Sequence, residues 1–250
     1  MKTYIITGTT RGIGHALVGE LAGDDATLFC LSRSGTNLEG IDAGSGQIID
    51  VPVDLADIAA LDDVLAGVLE RVDLAAADGL YLVNNAGVIE PVAPIERQAA
   101  DEVVTHLNVN LLAPMRLTAR FIDLTAAAAC RKVAVTVSSG ASQNPYRGWA
   151  AYCAAKAGAH MFARVAGLEQ ADRAAAGHSP VLVYSVTPGK VDTNMQTTLR
   201  SHDPADFPDH AKFVQFKETG DLMAPEEAAR RIAATLDDPA VQGGDYLDVR

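Results

Sequence analysis

Positive charge is scarce in this chain: 20 lysines and arginines stand against 32 aspartates and glutamates, for a formal net charge of −12. Nucleic acid and anionic membrane surfaces both reward a basic face, so neither is expected as a partner. Cysteine is sparse too. Cys30, Cys130 and Cys153 stand far apart with no C-x-x-C pair, which excludes a disulfide framework and suits a reducing cytoplasm. The six histidines are scattered without ligand spacing, so no metal is expected and His106, like the rest, reads as a packing or surface residue. No apolar run approaches a membrane span, and "MKTYIITGTT" is too short an apolar stretch for a signal peptide. Repeats, low-complexity tracts and Pro/Gly/Ser linkers are missing as well. The reading is therefore one domain, 1–250.

What is present is alternation. Apolar, β-branched runs fall at 3–7, 27–31, 47–53, 79–83, 132–138, 181–186 and 245–249, with helical patterns at 12–21, 55–72, 99–128, 150–176 and 225–236. Such alternation predicts an α/β fold of the Rossmann type. That is a doubly wound, mainly parallel sheet of seven strands with helices on both faces. Residues 188–220 break the rhythm and lack clear periodicity. Loops of that length in compact domains are usually lids or binding segments, so a substrate-covering flap is expected at about 190–220.

The first strand runs into "ITGTTRGIGHAL", whose glycines, Gly8, Gly12 and Gly14, fit neither G-x-G-x-x-G nor a P-loop. Strand, glycine turn and helix are nonetheless the context a phosphate-binding turn needs. Glycine lets the backbone approach a pyrophosphate, and the helix N-terminus offers free N–H groups to it.

The spacing T-G-x-x-x-G-I-G resembles the cofactor loop of the short-chain dehydrogenases/reductases. Further motifs stand in that family's order: "NNAG" at 84–87, Ser138 and Ser139 at the end of the fifth strand, "YCAAK" from Tyr152 to Lys156, and "PG" at 188–189 with Thr193 beyond. The resemblance spans essentially the whole chain. It implies that Ser139 holds a substrate carbonyl, that Tyr152 is the acid–base group, and that Lys156 assists it while binding the nicotinamide ribose. It also implies that the backbone of Asn110, preferred over Asn108, holds a water leading from Lys156 to solvent. The implied cofactor residues are Gly8, Thr10, Arg11, Gly12, Ile13 and Gly14 in the loop; Asp54 and Leu55 at the adenine; Asn85, Ala86 and Gly87 at its ribose; and Tyr152, Lys156, Pro188, Gly189, Val191 and Thr193.

Two points follow from the residues themselves. Tyr152 and Lys156 lie four apart on a predicted helix and share a face. An ammonium about 5 Å away at an effective dielectric of about 20 contributes roughly 3 kcal/mol, so Lys156 is expected to draw the tyrosine pKa down by about two units. The second point concerns the cofactor. NAD sites of this kind place an acid at the end of the second strand, but "CLSRS" has none, and Arg33 stands where a 2′-phosphate could be paired, with Arg11 opposite. NADPH is the expected cofactor.

Within the family, "SGASQNPYRGWAAYCAAKAGAHMF" and "TPGKVDTNMQ" resemble the bacterial benzil reductases and the related sepiapterin reductases. Ser139, Tyr146, Trp149, Tyr152 and Met195, with Phe207, Phe213 and Phe216 from the flap, are expected to form an apolar pocket for an aromatic carbonyl compound. Sepiapterin reductases anchor the pterin with an aspartate near the C-terminus. Ala224 aligns there, with Asp221 as the other alignment. A missing carboxylate leaves pterin N–H groups unpaired, so an aromatic vicinal diketone is the expected substrate. The alternatives are a pterin, a 3-oxoacyl thioester or a sugar. A non-catalytic NADPH-binding regulator is disfavoured because Tyr152 and Lys156 are both present. The resemblance implies a homodimer or homotetramer paired through 99–128 and 150–176.

Overall fold

A computed structural model describes all of residues 1–250. Seven strands form one sheet in the order β3-β2-β1-β4-β5-β6-β7. They are β1 (Lys2–Thr7), β2 (Ala26–Ser32), β3 (Gln47–Pro52), β4 (Gly79–Asn84), β5 (Arg131–Val137), β6 (Leu182–Thr187) and β7 (Tyr246–Asp248). Every pairing is parallel, β7 on β6 included. Each strand lies within two residues of the expected position.

Alternate residues of the central strands feed two separate cores, the period of two expected of a sheet covered on both faces. Ile5, Phe29, Leu80, Leu82 and Ala134 pack against α2 (Leu61–Leu69), α4 (Ala113–Leu124) and α5 (Ala150–Ala175). Tyr4, Ile6, Leu28, Tyr81 and Val135 pack against α1 (Gly12–Leu21) and α8 (Pro225–Leu236). Helix α5 buries Ala151, Ala155, Ala159, Ala163 and Ala166, a small-residue stripe that permits close approach to the sheet.

The structure corrects three helical expectations. The helix expected over 55–72 begins only at Leu61, because the Asp54 carboxylate accepts from the Ala56 N–H and holds a turn there. The helix expected over 99–128 is α3 (Ala100–Leu107), a widened π turn at Asn108–Leu112, and then α4. Pro114 has no N–H to give the Asn110 carbonyl in the α register, which favours the local widening. The flap is not a loop: it folds into α6 (Asn194–Ser201) and α7 (His210–Glu218), closed at the base by a bridge between Val191 and Met223. Each flap helix buries a single residue, Leu199 in α6 and Phe213 in α7, so neither leaves a helical pattern in the sequence.

Candidate active site

A cavity of about 700 Å3 runs along the carboxyl ends of the strands, where the sheet order reverses between β1 and β4. Its floor is the glycine turn. Gly8 and Gly12 have positive φ, +73° and +59°. A Cβ on Gly8 would lie 2.8 Å from the Ala86 backbone, and one on Gly14 would lie 2.1 Å from the Gly8 carbonyl oxygen. Only glycine allows this turn to close on itself. The chain after β4 locks it: Thr7 Oγ1 accepts from the N–H groups of Asn85 and Ala86, and the Asn85 carboxamide donates to the carbonyls of Thr7 and Gly8. Helix α1 starts with no side-chain cap, so its first N–H groups stay free for an anion. Arg11 and Arg33 line the same end, and neither guanidinium makes an ion pair or hydrogen bond within the protein. The glycine cradle, the uncapped helix end and the two unpartnered arginines together fit a dinucleotide phosphate group.

At the other end stand Ser139, Tyr152 and Lys156. Ser139 follows β5, its backbone carbonyl accepting from Ser142 Oγ at 2.8 Å and from the Tyr246 hydroxyl at 3.3 Å. Tyr152 and Lys156 lie on the first turns of α5 and are both only 5% exposed. The Lys156 ammonium donates to the Val137 carbonyl at 2.9 Å and sits 5.8 Å from the Tyr152 ring centre. Burial pushes Lys156 down to about 8. It also pushes Tyr152 up to about 12, with the Ser139 hydroxyl pulling the other way. This corrects the expected downward shift: desolvation of the phenolate dominates, and Lys156 is not among the groups that move it. Tyr152 is therefore held as a neutral phenol, the form that can donate a proton.

The remaining residues divide clearly. Gly8, Thr10, Arg11, Gly12, Ile13, Gly14, Arg33, Asp54, Leu55, Asn85, Ala86, Gly87, Pro188, Gly189, Val191 and Thr193 all line the cavity, as do Trp149 and Met195. Asn110 is fully buried behind it, and its carboxamide oxygen lies 3.0 Å from where a Cβ on Gly87 would stand. Asn108 instead donates to the Ala56 carbonyl.

Tyr146, Phe207, Phe213 and Phe216 do not line the cavity, contrary to expectation. Phe207 is fully buried and stacks on Trp149 at 5.2 Å, while Tyr146 and Phe213 pack around the same indole. The aromatic cluster thus supports Trp149 from behind, because rings of that size bury more area against each other than against an open cleft. Phe216 lies beneath the Lys190 ammonium. Asp221 pairs with Lys190 and Ala224 caps α8, so neither reaches the cavity.

The cavity also holds residues that the sequence did not single out: Glu90, Asp101, Glu102, His106 and Leu199. Glu90 ties the loop after β4 to the flap, its carboxylate lying 2.9 Å from the His202 ring. Only His106 carried a readable signal, its position four residues before Asn110.

Comparison with known proteins supplies the family and the fold. Residues 2–204 match the family model described as short chain dehydrogenase. A benzil reductase ((S)-benzoin forming) of Bacillus cereus is 32% identical over 251 residues, covering 100% of this chain and 99% of that protein. A sepiapterin reductase of Xenopus laevis is 29% identical, covering 98% of this chain and 94% of that one. Among solved structures, that of the KRED1-Pglu enzyme superposes with a TM-score of 0.83 at 28% identity, covering 99% of this chain and all of the other.

Proposed function

The chain belongs to the short-chain dehydrogenase family, and on that premise we propose that it is an NADPH-dependent carbonyl reductase acting on one carbonyl of an aromatic vicinal diketone. The observation that carries the reading is a single cavity with an anion cradle at one end and Ser139, Tyr152 and Lys156 at the other. Bound NADPH would supply the hydride. The chain's own residues do the rest. The Ser139 hydroxyl donates a hydrogen bond to the substrate oxygen and fixes it beside the Tyr152 hydroxyl. Tyr152, protonated at neutral pH, gives its proton to that oxygen as negative charge develops there. Lys156, close to its own midpoint near neutrality, lies where it can help replace that proton through the buried Asn110 turn. Arg11 and Arg33 would hold the 2′-phosphate, and Asp54 the adenine end.

The diketone preference draws on the name of the Bacillus relative and on the apolar wall of Ile89, Trp149, Met195 and Leu199. One observation favours a second reading. Glu90, Asp101 and Glu102 line the cavity and offer carboxylates that could pair with pterin N–H groups, although Asp221 and Ala224 do not. Loss of NADPH absorbance with benzil, phenylpropanedione and sepiapterin separates the two. A sepiapterin kcat/KM higher by about tenfold, roughly 1.4 kcal/mol in transition-state binding, would replace the diketone reading with the pterin one.

The same proposal covers setting and assembly. No helix is long and apolar enough to cross a membrane, and all three cysteines are free, which agrees with a cytoplasmic enzyme. Val104, Leu112, Met161, Val165 and Leu168 are exposed on α3, the π turn and α5. They offer the apolar surface through which a homodimer or homotetramer would form.

A further inference from the structure

His106 ends α3. It is fully buried, borders the cavity, and its ring packs T-shaped with Tyr152 at 5.9 Å. Its two ring nitrogens face different partners. Nδ1 is 2.6 Å from the Glu90 carbonyl oxygen, and a carbonyl only accepts, so Nδ1 carries the proton. Nε2 is 2.9 Å from the carboxamide nitrogen of Asn110.

The orientation of that carboxamide is fixed independently by Val88. Asn110 Oδ1 accepts from the Val88 N–H at 3.0 Å, and Nδ2 donates to the Val88 carbonyl at 2.8 Å. Flipping the amide would set donor against donor at Val88. The second N–H of Nδ2 therefore points at the Nε2 lone pair of a neutral His106. One arrangement of protons satisfies every group. Burial and the nearby Lys156 charge both favour the neutral ring, although the Glu90 bond opposes them.

We propose that His106 is a positioning residue, its Nε2 lone pair fixing the Asn110 carboxamide within the π turn and its ring edge backing Tyr152. It touches neither substrate nor cofactor in this role. It acts through Asn110 and Tyr152, and the inference rests on the carbonyl-reductase reading above. The chain from Glu90 through His106 and Asn110 to Val88 closes a short circuit that ties the loop at 88–90 to the turn at 108–112. Without the acceptor at position 106, one buried N–H of Asn110 has no partner, and the cheapest relief is rotation of the carboxamide away from Val88. The loop and the turn would then part.

Two measurements test this. Nitrogen NMR of the histidine-labelled enzyme should find His106 neutral around physiological pH with its proton on Nδ1. A charged ring, or a proton on Nε2, overturns the proposal whatever the protein catalyses. Kinetics form the second arm. His106→Phe keeps the ring but removes the acceptor, and should lower kcat about tenfold or more, as small misplacements of catalytic groups do, with NADPH affinity unchanged. His106→Gln retains an acceptor and should recover kcat to within about threefold, under 1 kcal/mol of barrier.

In an Asn110→Ala background, His106→Phe should have less than about twofold further effect, because the two residues act as one unit. A full, additive loss in that background would mean that His106 does not act through Asn110 and would overturn the proposal, as would an unchanged kcat in His106→Phe alone. If the unmodified enzyme reduced no carbonyl compound with NADPH, the functional reading would fall, and the NMR result would still decide the positioning.

Discussion

Two lysines are buried at opposite ends of β5, and their surroundings differ in one respect. Lys132, at the start of the strand and 2% exposed, donates to three carbonyls, those of Thr125, Ala128 and Ser179. Lys156, against the last residue of the strand and 5% exposed, donates to one, that of Val137. An ammonium has three donors and no acceptor. The first lysine therefore spends all of them on the fold, closing the chain after α4 against the start of β6. The second keeps two unspent at the wall of a cavity. A buried cation with unpaired donors is costly unless something else pairs with it, so the mismatch at Lys156 marks a binding site and the match at Lys132 marks a structural tie.

The largest test of that contrast is catalytic. Lys156→Met should lower both kcat and NADPH affinity, whereas Lys132→Met should leave kcat per folded molecule unchanged. Tyr152→Phe sharpens the contrast further: it removes only the transferable proton, and turnover should fall by about 10²-fold or more while NADPH binding persists. A phenylalanine variant retaining a tenth of the activity would point to another proton donor.

Stability should separate the lysines in the opposite sense. Burial lowers Lys156 from 10.5 to about 8, so between those values the unfolded chain holds more of the proton than the folded one. Stability must then rise with pH from about 8 to 10.5 and be at its lower plateau below 8. Lys156→Met should abolish that rise, worth up to about 3 kcal/mol at 1.36 kcal/mol per unit, and so stabilise the enzyme at neutral pH. Urea midpoints of the two proteins across the window check the sign. Burial lowers Lys132 too, but Lys132→Met also breaks a structural tie, and the net change should be the reverse. The Ser179 carbonyl loses its ammonium with no other donor in reach, while Thr125 and Ala128 keep backbone or Ser179 partners. A net loss of roughly 1 kcal/mol is expected for one part-buried acceptor left without its donor, read as a lower urea midpoint at neutral pH.

Both lysines were visible in the sequence, but only one could be assigned from it. Lys156 stands in a motif whose spacing survives translation into a shared helix face. Lys132 is merely the second residue of a strand, and its carbonyls come from segments 125–128 and 179 that no local pattern connects. The same divide runs through the molecule. The five inner strands were legible because runs buried on both faces are continuous and apolar, and the edge strands β3 and β7 because they hold the alternating rhythm of the chain. The glycine turn and the Tyr–Lys pair were legible because each is local. The π turn was not, since Asn108 and Asn110 interrupt no periodicity. The flap helices were not, because each buries one side chain. The aromatic residues were correctly grouped but wrongly faced: proximity to the site could be inferred, but not that Phe207, Phe213 and Tyr146 close behind Trp149. The Tyr152 shift was misjudged in sign because the sequence shows a nearby charge and hides the burial.

The contrast extends to the arginines. In a chain of net charge −12, most guanidinium groups have found carboxylates: Arg97 with Asp206, Arg116 with Asp62, Arg231 with Glu227. Arg11 and Arg33 have not, nor have Arg71, Arg164, Arg173 and Arg200, but of these six only Arg11 and Arg33 line the cavity. The end of β2 and the residues after it supply Ser32 and Ser34 rather than an acid, and Asp50 on the neighbouring strand is already bonded to the Thr36 N–H. An acid there would have accepted from a ribose 2′-hydroxyl, whereas an unpaired guanidinium at that place suits a 2′-phosphate, whose oxygens match its fork of donors. Arg33→Ala should therefore weaken NADPH binding by roughly 1.5 kcal/mol, about tenfold in Kd. This is the low end for a charge-assisted bond, because the site is open to water and salt. NADH, which brings no phosphate to that corner, should bind the variant and the unmodified protein alike. Fluorescence titration with each cofactor gives all four constants. Raising the salt should shrink the NADPH difference and leave the NADH one flat. Equal kcat/KM for the two cofactors in the unmodified enzyme would show that the two free arginines are only solvated surface, and that an unpartnered cation predicts a ligand in this fold only where it is buried, as at Lys156.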